Sequence, residues 1–220
     1  MPKPRILCLH GGGTNPDIHL FQARKLNLHL EKFYDLVTPR GFIDCGPGPG
    51  MLPFFEGSDF CQWIWDGKGG EFMNTTNAKE QEEWADLPKL VDIYKKQGPF
   101  VGMVAFSQGA KVGVHLLKWL QENEIGEGMK FAVLICSTSP FRGKRQPGDP
   151  GVPAEGSIEI PSLHLVAEKD EWHNQGEIIV RCFKDPVVIR SPEGHHMPMD
   201  DELNQRIVGF VNDKGTEASL

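Results

Sequence analysis

Apolar residues follow two alternating patterns along this chain. Short apolar runs of strand length stand at 5–9, near 35–39, and at 100–106, 130–136, 160–166 and 186–190. Between them, apolar positions recur at three- and four-residue intervals, the spacing of one helix face, over about 16–33, 78–97, 108–123, 172–183 and 200–212. Pro88 inside the second of these helical stretches predicts a kink or a break. Runs such as Phe100 to Phe106 are apolar throughout, as in strands covered on both faces. Strands and helices in alternation predict an α/β fold: a mostly parallel central sheet, right-handed crossovers and helices on both faces. The length of 220 residues suits one such domain over 1–220 with a sizeable core.

Two stretches break the alternation. Residues 142–156 are rich in Pro, Gly and charge and read as a surface loop, with a place at the rim of a site as the lesser reading. Residues 46–77 mix Gly and Pro with Met51, Phe54, Phe55, Phe60, Trp63 and Trp65. An irregular segment this apolar either packs on the body or forms a lid or pocket wall. Phe55, Trp63 and Trp65 are the candidates for substrate contact in that second reading.

The chemistry gathers at strand ends. The run 100–106 stops at Ser107, and the small residues Ala105 and Gly109 flank the serine before the helical pattern begins. Strand, sharp turn and helix with serine at the apex is the form of a nucleophile elbow; the competing reading is an ordinary serine N-cap. A serine hydroxyl needs a base, and the base needs an orienting acid. Downstream, Glu168-Lys169-Asp170 follows the strand at 160–166, and Gly194-His195-His196 follows the strand at 186–190. Asp170 and His195 stand at carboxyl ends of strands, where such sheets collect catalytic groups. Glu168, Glu171 and Asp185 compete with Asp170, and His196 competes with His195. At the amino end, strand 5–9 runs into His10-Gly11-Gly12-Gly13. Glycines let the backbone approach a substrate closely, so Gly12 or Gly13 could supply one oxyanion N–H and Gln108, the residue after the serine, the other. A phosphate loop is the competing reading, but the chain lacks both the G-x-G-x-x-G frame and the G-K-[ST] ending.

These motifs, in this order, resemble the fungal FSH family of serine hydrolases, an α/β-hydrolase group of small esterases and thioesterases that release or trim polyketides. The resemblance runs from Pro4 to about Val211. The family's G-F-S-Q-G-A maps onto Ala105 to Ala110 with alanine for the first glycine, and its G-G-H-x-V-P maps onto Glu193 to Pro198 with Glu193 and Met197 as departures. The mapping implies Ser107 as nucleophile, Asp170 as acid and His195 as base, with His196 at the variable position. It also implies an ester or thioester substrate with a hydrophobic acyl group, no cofactor, and an acyl-carrier domain as a conceivable partner. A general carboxylesterase and a non-catalytic binding protein on the same fold remain as alternatives.

Composition narrows the classes. A formal net charge of −7, with no basic stripe, argues against nucleic acid and against an anionic membrane surface. No apolar run approaches the roughly 18 residues of a membrane span, and the apolar run 6–9 is too short for a signal segment, so a cytoplasmic location is the expectation. The five cysteines show no zinc-site spacing, and Cys8 and Cys136 lie within strand patterns as small buried hydrophobes.

Overall fold

In the computed structural model, described here for residues 2–64, 87–126, 128–138, 147–148 and 153–216, strands and helices alternate. The strands are β1 (Arg5–Leu9), β2 (Asp35–Val37), β3 (Ile43–Cys45), β4 (Phe60–Gln62), β5 (Phe100–Phe106), β6 (Phe131–Ile135), β7 (Ser162–Ala167) and β8 (Val187–Ser191). The helices are α1 (Pro16–Gln22), α2 (Arg24–Leu30), α3 (Leu87–Gln97), α4 (Gln108–Glu122), α5 (His173–Arg181) and α6 (Asp201–Thr216). Six strands form one sheet in the order β2-β1-β5-β6-β7-β8, and every neighbouring pair in it is parallel.

Period-two side-chain direction splits the sheet's apolar residues between two cores. Leu7 and Leu9 of β1, Met103 and Ala105 of β5, and Ala132 and Leu134 of β6 pack with α3, α4 and α5. Ile6 and Cys8, Val104 and Phe106, and Phe131, Val133 and Ile135 point the other way, against α2 and α6. With both faces covered, the central strands β5, β6 and β7 are almost wholly buried, which is why their sequences show runs rather than alternation. Gly102 makes room for Phe131: a Cβ there would stand 2.1 Å from its ring.

The structure differs from the sequence reading in two places. The helix expected over 16–33 is two helices meeting at Ala23, which leaves helical geometry at ψ 3°. Asn15 caps the first, its Oδ1 accepting from the Ile18 N–H at 2.8 Å, with Pro16 at the start of the helix. β3 and β4 form a separate antiparallel pair of three residues each, too short to register as periodic in sequence. Pro88 is the second residue of α3 as described; the remainder of the helix expected over 78–97 lies outside the described residues. Of the loop expected at 142–156, the described parts are a turn at 147–148, where Gly148 donates to Pro153 O at 3.1 Å, and residues 153–156. No helix among the described residues is long and apolar enough to cross a membrane.

Candidate active site

The strand order reverses between β1 and β5, since β2 lies to one side of β1 and β5 with all later strands to the other. In an open parallel sheet the crevice beyond the carboxyl ends at such a reversal is where ligands sit. Here those ends carry His10-Gly11-Gly12-Gly13 and Ser107. The two are pressed together. A Cβ on Gly11 would lie 3.1 Å from the Phe106 ring and 3.5 Å from Ser107 Cβ, and one on Gly109 would lie 2.3 Å from Leu9 O. Only a residue without a side chain lets α4 start this close to β1.

Ser107 occupies the turn between β5 and α4 with φ 55° and ψ −120°. Positive φ is uncommon for a residue with a Cβ; conformations of this kind cost about 1–3 kcal/mol and persist only where the surroundings enforce them. The surroundings do so here: the Ser107 N–H donates to Ile135 O at 3.0 Å at one end, and its carbonyl accepts from the Lys111 N–H at 3.2 Å at the other. The side chain is thereby aimed out of the sheet edge, and Ser107 remains partly exposed.

Three side chains from separate strand ends form a hydrogen-bonded chain. His195 Nε2 lies 2.8 Å from Ser107 Oγ, and His195 Nδ1 lies 2.7 Å from Asp170 Oδ2. Asp170 is buried, and its second oxygen accepts from the Trp172 N–H at 2.8 Å. The His195 ring lies between two aromatics, edge-on to Trp172 at 4.5 Å between centroids and tilted over Phe106 at 5.1 Å. The competing residues do not join this chain. Glu168, Glu171 and Asp185 are exposed, and His196 is exposed with its Nδ1 2.9 Å from Met197 O.

The Gly-rich loop is held by the segment 41–63. Gly13 donates to Cys61 O at 3.0 Å, Cys61 donates to Thr14 O at 2.7 Å, and Gly48 donates to Gly13 O at 2.8 Å. The Gly13 N–H is therefore consumed by the fold, which corrects Gly13 as an oxyanion candidate. Gly12 is partly exposed, and a Cβ on it would meet the Gln108 side chain at 3.1 Å. Gln108 itself is buried, with Oε1 accepting from the Trp63 N–H at 2.8 Å. Its own N–H belongs to the first turn of α4, where backbone donors have no partner within the helix.

Trp63 also departs from expectation. It is fully buried, its indole N–H donates to His10 O at 2.7 Å, and its ring packs on His10 at 4.7 Å and Phe42 at 5.5 Å. It anchors the Gly-rich loop from behind instead of lining an open surface. Phe55 is half-buried, edge-on to Phe21 at 5.7 Å and packed beside Ile18, Met51 and Phe60. Trp65 lies outside the described residues.

In sequence, His10 carries no signal beyond its place in the Gly-rich loop. Its Nε2 accepts from the Gly41 N–H at 3.0 Å, while its Nδ1 lies 2.8 Å from Gly11 O and 3.1 Å from Thr14 Oγ1. Burial holds its pKa down to about 4, so at neutral pH it is an uncharged pin between two loops. In sequence, Cys136 at the end of β6 reads as a small hydrophobe. It is buried, but at φ 47°, with its Sγ, an Asp170 oxygen and a His195 nitrogen all within 4.8 Å of one another. Burial and then the Asp170 carboxylate push its thiol up to about 12. Neither role has a local signal, because the partners are distant in sequence.

Comparisons with known proteins place the chain among serine hydrolases and esterases. The chain is similar to esterase FUS5 of Gibberella moniliformis, 31% identical over 214 residues that cover 96% of this chain and 86% of the relative. It is similar to thioesterase FSL2 of Gibberella zeae, 28% identical over 94% of this chain and 91% of the relative. Among solved structures, esterase PE8 superposes with a TM-score of 0.62 over 97% of this chain and 93% of its own, at 17% identity. The carboxylesterase of Bacillus cereus gives 0.57 over 96% and 89%, also at 17% identity, so the shared feature is the α/β-hydrolase fold. The family described as "Serine hydrolase (FSH1)" matches residues 1–207. A strained serine at a strand-to-helix turn, the histidine and carboxylate behind it and this match over nearly the whole length lead to one conclusion: the chain belongs to the FSH1 family of serine hydrolases.

Proposed function

We propose that this enzyme cleaves a thioester or ester of a hydrophobic acyl group through an acyl-enzyme on Ser107. The observation that carries the reading is the unbroken chain Ser107 Oγ, His195, Asp170, at 2.8 and 2.7 Å. His195 Nε2 takes the serine proton as Oγ attacks the acyl carbonyl, then returns a proton to the leaving thiol or alcohol. Asp170 keeps the other imidazole proton on Nδ1 and stabilises the imidazolium; the Trp172 N–H holds that carboxylate in place. The oxyanion forms against the N–H groups of Gly12 and Gln108, each worth on the order of 3–4 kcal/mol in such sites. Water then attacks the acyl-enzyme with His195 again as base.

The thioester preference is supported by the thioesterase FSL2 likeness, and the polyketide setting by the family resemblance. A free small ester is the second reading, supported by the esterase FUS5 likeness. The segment 46–64 is proposed as one wall of the acyl site, because Gly48 and Cys61 tie it to the Gly12–Gly13 backbone. Incubation with a fluorophosphonate probe should add one probe mass on Ser107, and no label on Ser107 would refute the mechanism. Matched acyl thioesters and oxygen esters of increasing chain length then decide the leaving group. A higher kcat/KM on the oxygen esters would overturn the thioester preference.

A further inference from the structure

Cys136 takes no part in that reaction, yet its side chain lies against the residues that do. Its thiol approaches the carbonyls of Gly194 at 3.9 Å and His196 at 3.6 Å, the residues on either side of His195. Its backbone sits at φ 47°, in the left-handed region that a residue with a Cβ rarely enters. The result is one sulfur, one imidazole nitrogen and one carboxylate oxygen converging from the ends of three strands, all within 4.8 Å of each other.

We propose that Cys136 Sγ, the Asp170 carboxylate and His195 Nδ1 form an inhibitory site for a thiophilic divalent cation of the zinc type. The proposal rests on the reading of Ser107 and His195 given above. Thiolate, imidazole and carboxylate are the three ligand types zinc takes in proteins, at about 2.0–2.3 Å, which sets donor atoms roughly 3.3–3.8 Å apart in a tetrahedron. Closing the set needs a contraction of up to about 1.5 Å between the most distant donors and a widening of the 2.7 Å Nδ1–Oδ2 pair by about 0.6 Å, and water completes it. The His195 side chain is 20% exposed and offers the way in; that of Asp170 is 2% exposed and does not.

Binding exchanges protons without any redox change. The Cys136 S–H bond breaks, its proton leaves to solvent, and the sulfur lone pair binds the metal. The metal takes the Nδ1 lone pair of His195 in place of the Asp170 hydrogen bond, so the imidazole proton moves to Nε2. An Nε2 that already carries a proton cannot accept one from Ser107. The cation thus disables the base without covering the acyl site, so it should lower kcat and leave KM unchanged.

The test is hydrolysis of a soluble acyl ester by the full-length enzyme, first with EDTA and then with increasing zinc chloride. Wild type should lose at least 90% of kcat at saturating zinc, with unchanged KM, and recover on EDTA. Cys136→Ala and Cys136→Ser, each normalised to its own metal-free rate, should need at least tenfold more zinc for half-inhibition. Cobalt(II) added to wild type should give a near-ultraviolet thiolate-to-metal charge-transfer band that Cys136→Ala lacks. Equal zinc sensitivity in wild type and both variants would overturn the proposal, as would a wild type without the cobalt band, which requires no variant to fold. If wild type fails to hydrolyse any ester in EDTA, the catalytic reading falls, and the inhibitory role falls with it. The cobalt band then reports on the metal site alone.

Discussion

At the scale of single residues, Ser107 shows a conflict between stability and chemistry. Its φ of 55° is imposed by the bonds on either side, and a glycine would occupy that conformation without the Cβ penalty. Ser107→Ala should lower kcat by about 10⁴–10⁶, as loss of a triad serine does in other hydrolases. Ser107→Gly should be equally inactive yet more stable than Ser107→Ala by about 1 kcal/mol, measured as the difference in urea unfolding. If the glycine variant is no more stable, the turn is unstrained. Asp170→Asn keeps the Trp172 contact but loses the charge that fixes the His195 tautomer, and kcat should fall by roughly 10⁴ with the melting temperature little changed. His196→Ala should stay within a few-fold of wild type, since that ring faces solvent.

At the scale of elements, glycines set how closely α4, β1 and the Gly-rich loop approach. Gly109→Ala places a methyl 2.3 Å from Leu9 O and 2.6 Å from His10 O, both backbone atoms that cannot step aside. It should lower stability by about 1–3 kcal/mol, and lower kcat as well, because the shift moves the Gln108 N–H relative to Gly12. Gly209 in α6 is the contrasting case. A Cβ there meets nothing within 4 Å, and the residue is exposed. Gly209→Ala should raise stability by about 0.5–1 kcal/mol with unchanged turnover, checked by thermal unfolding and initial rates.

At the scale of the whole molecule, three buried histidines and the half-buried His115, all neutral, set the acid limit. Burial lowers the pKa of His10 to about 4, and those of His19, His115 and His164 to about 3. The unfolded chain titrates these groups near 6.5, so below that pH it binds more protons than the native state. Their stabilising contribution is complete above pH 6.5 and is lost as pH falls towards 4 and 3, by up to about 1.4 kcal/mol per pH unit for each group. Unfolding free energies at pH 7, 6 and 5 should therefore fall steeply. His164→Leu should flatten that slope by about one proton, whatever it does to stability at pH 7. An unaltered slope in this variant would mean that His164 is protonated in the native state.

What the sequence determined by itself was whatever its signals carry locally. An apolar run ending at Ser107 between Ala105 and Gly109 marked β5, the elbow and α4 to within a residue, because strand, turn and helix are contiguous there. The strand ends before Asp170 and His195 were legible for the same reason, and family mapping placed the base at His195. The choice between Gly12 and Gly13 was not legible. It depends on Cys61 O, which reaches Gly13 only once β4 has folded over the loop. Trp63 reads in sequence as an aromatic on an irregular segment; its burial follows from His10 O and Gln108 Oε1, each about 45 residues or more away. Cys136 looks like any strand cysteine until β6, β7 and β8 lie side by side and bring its sulfur to Asp170 and His195. Periodicity and turn chemistry act over a few residues and fix elements. Hydrogen bonds and packing across tens of residues exist only in the folded chain, and they decided which backbone N–H stayed available and which thiol faced the site.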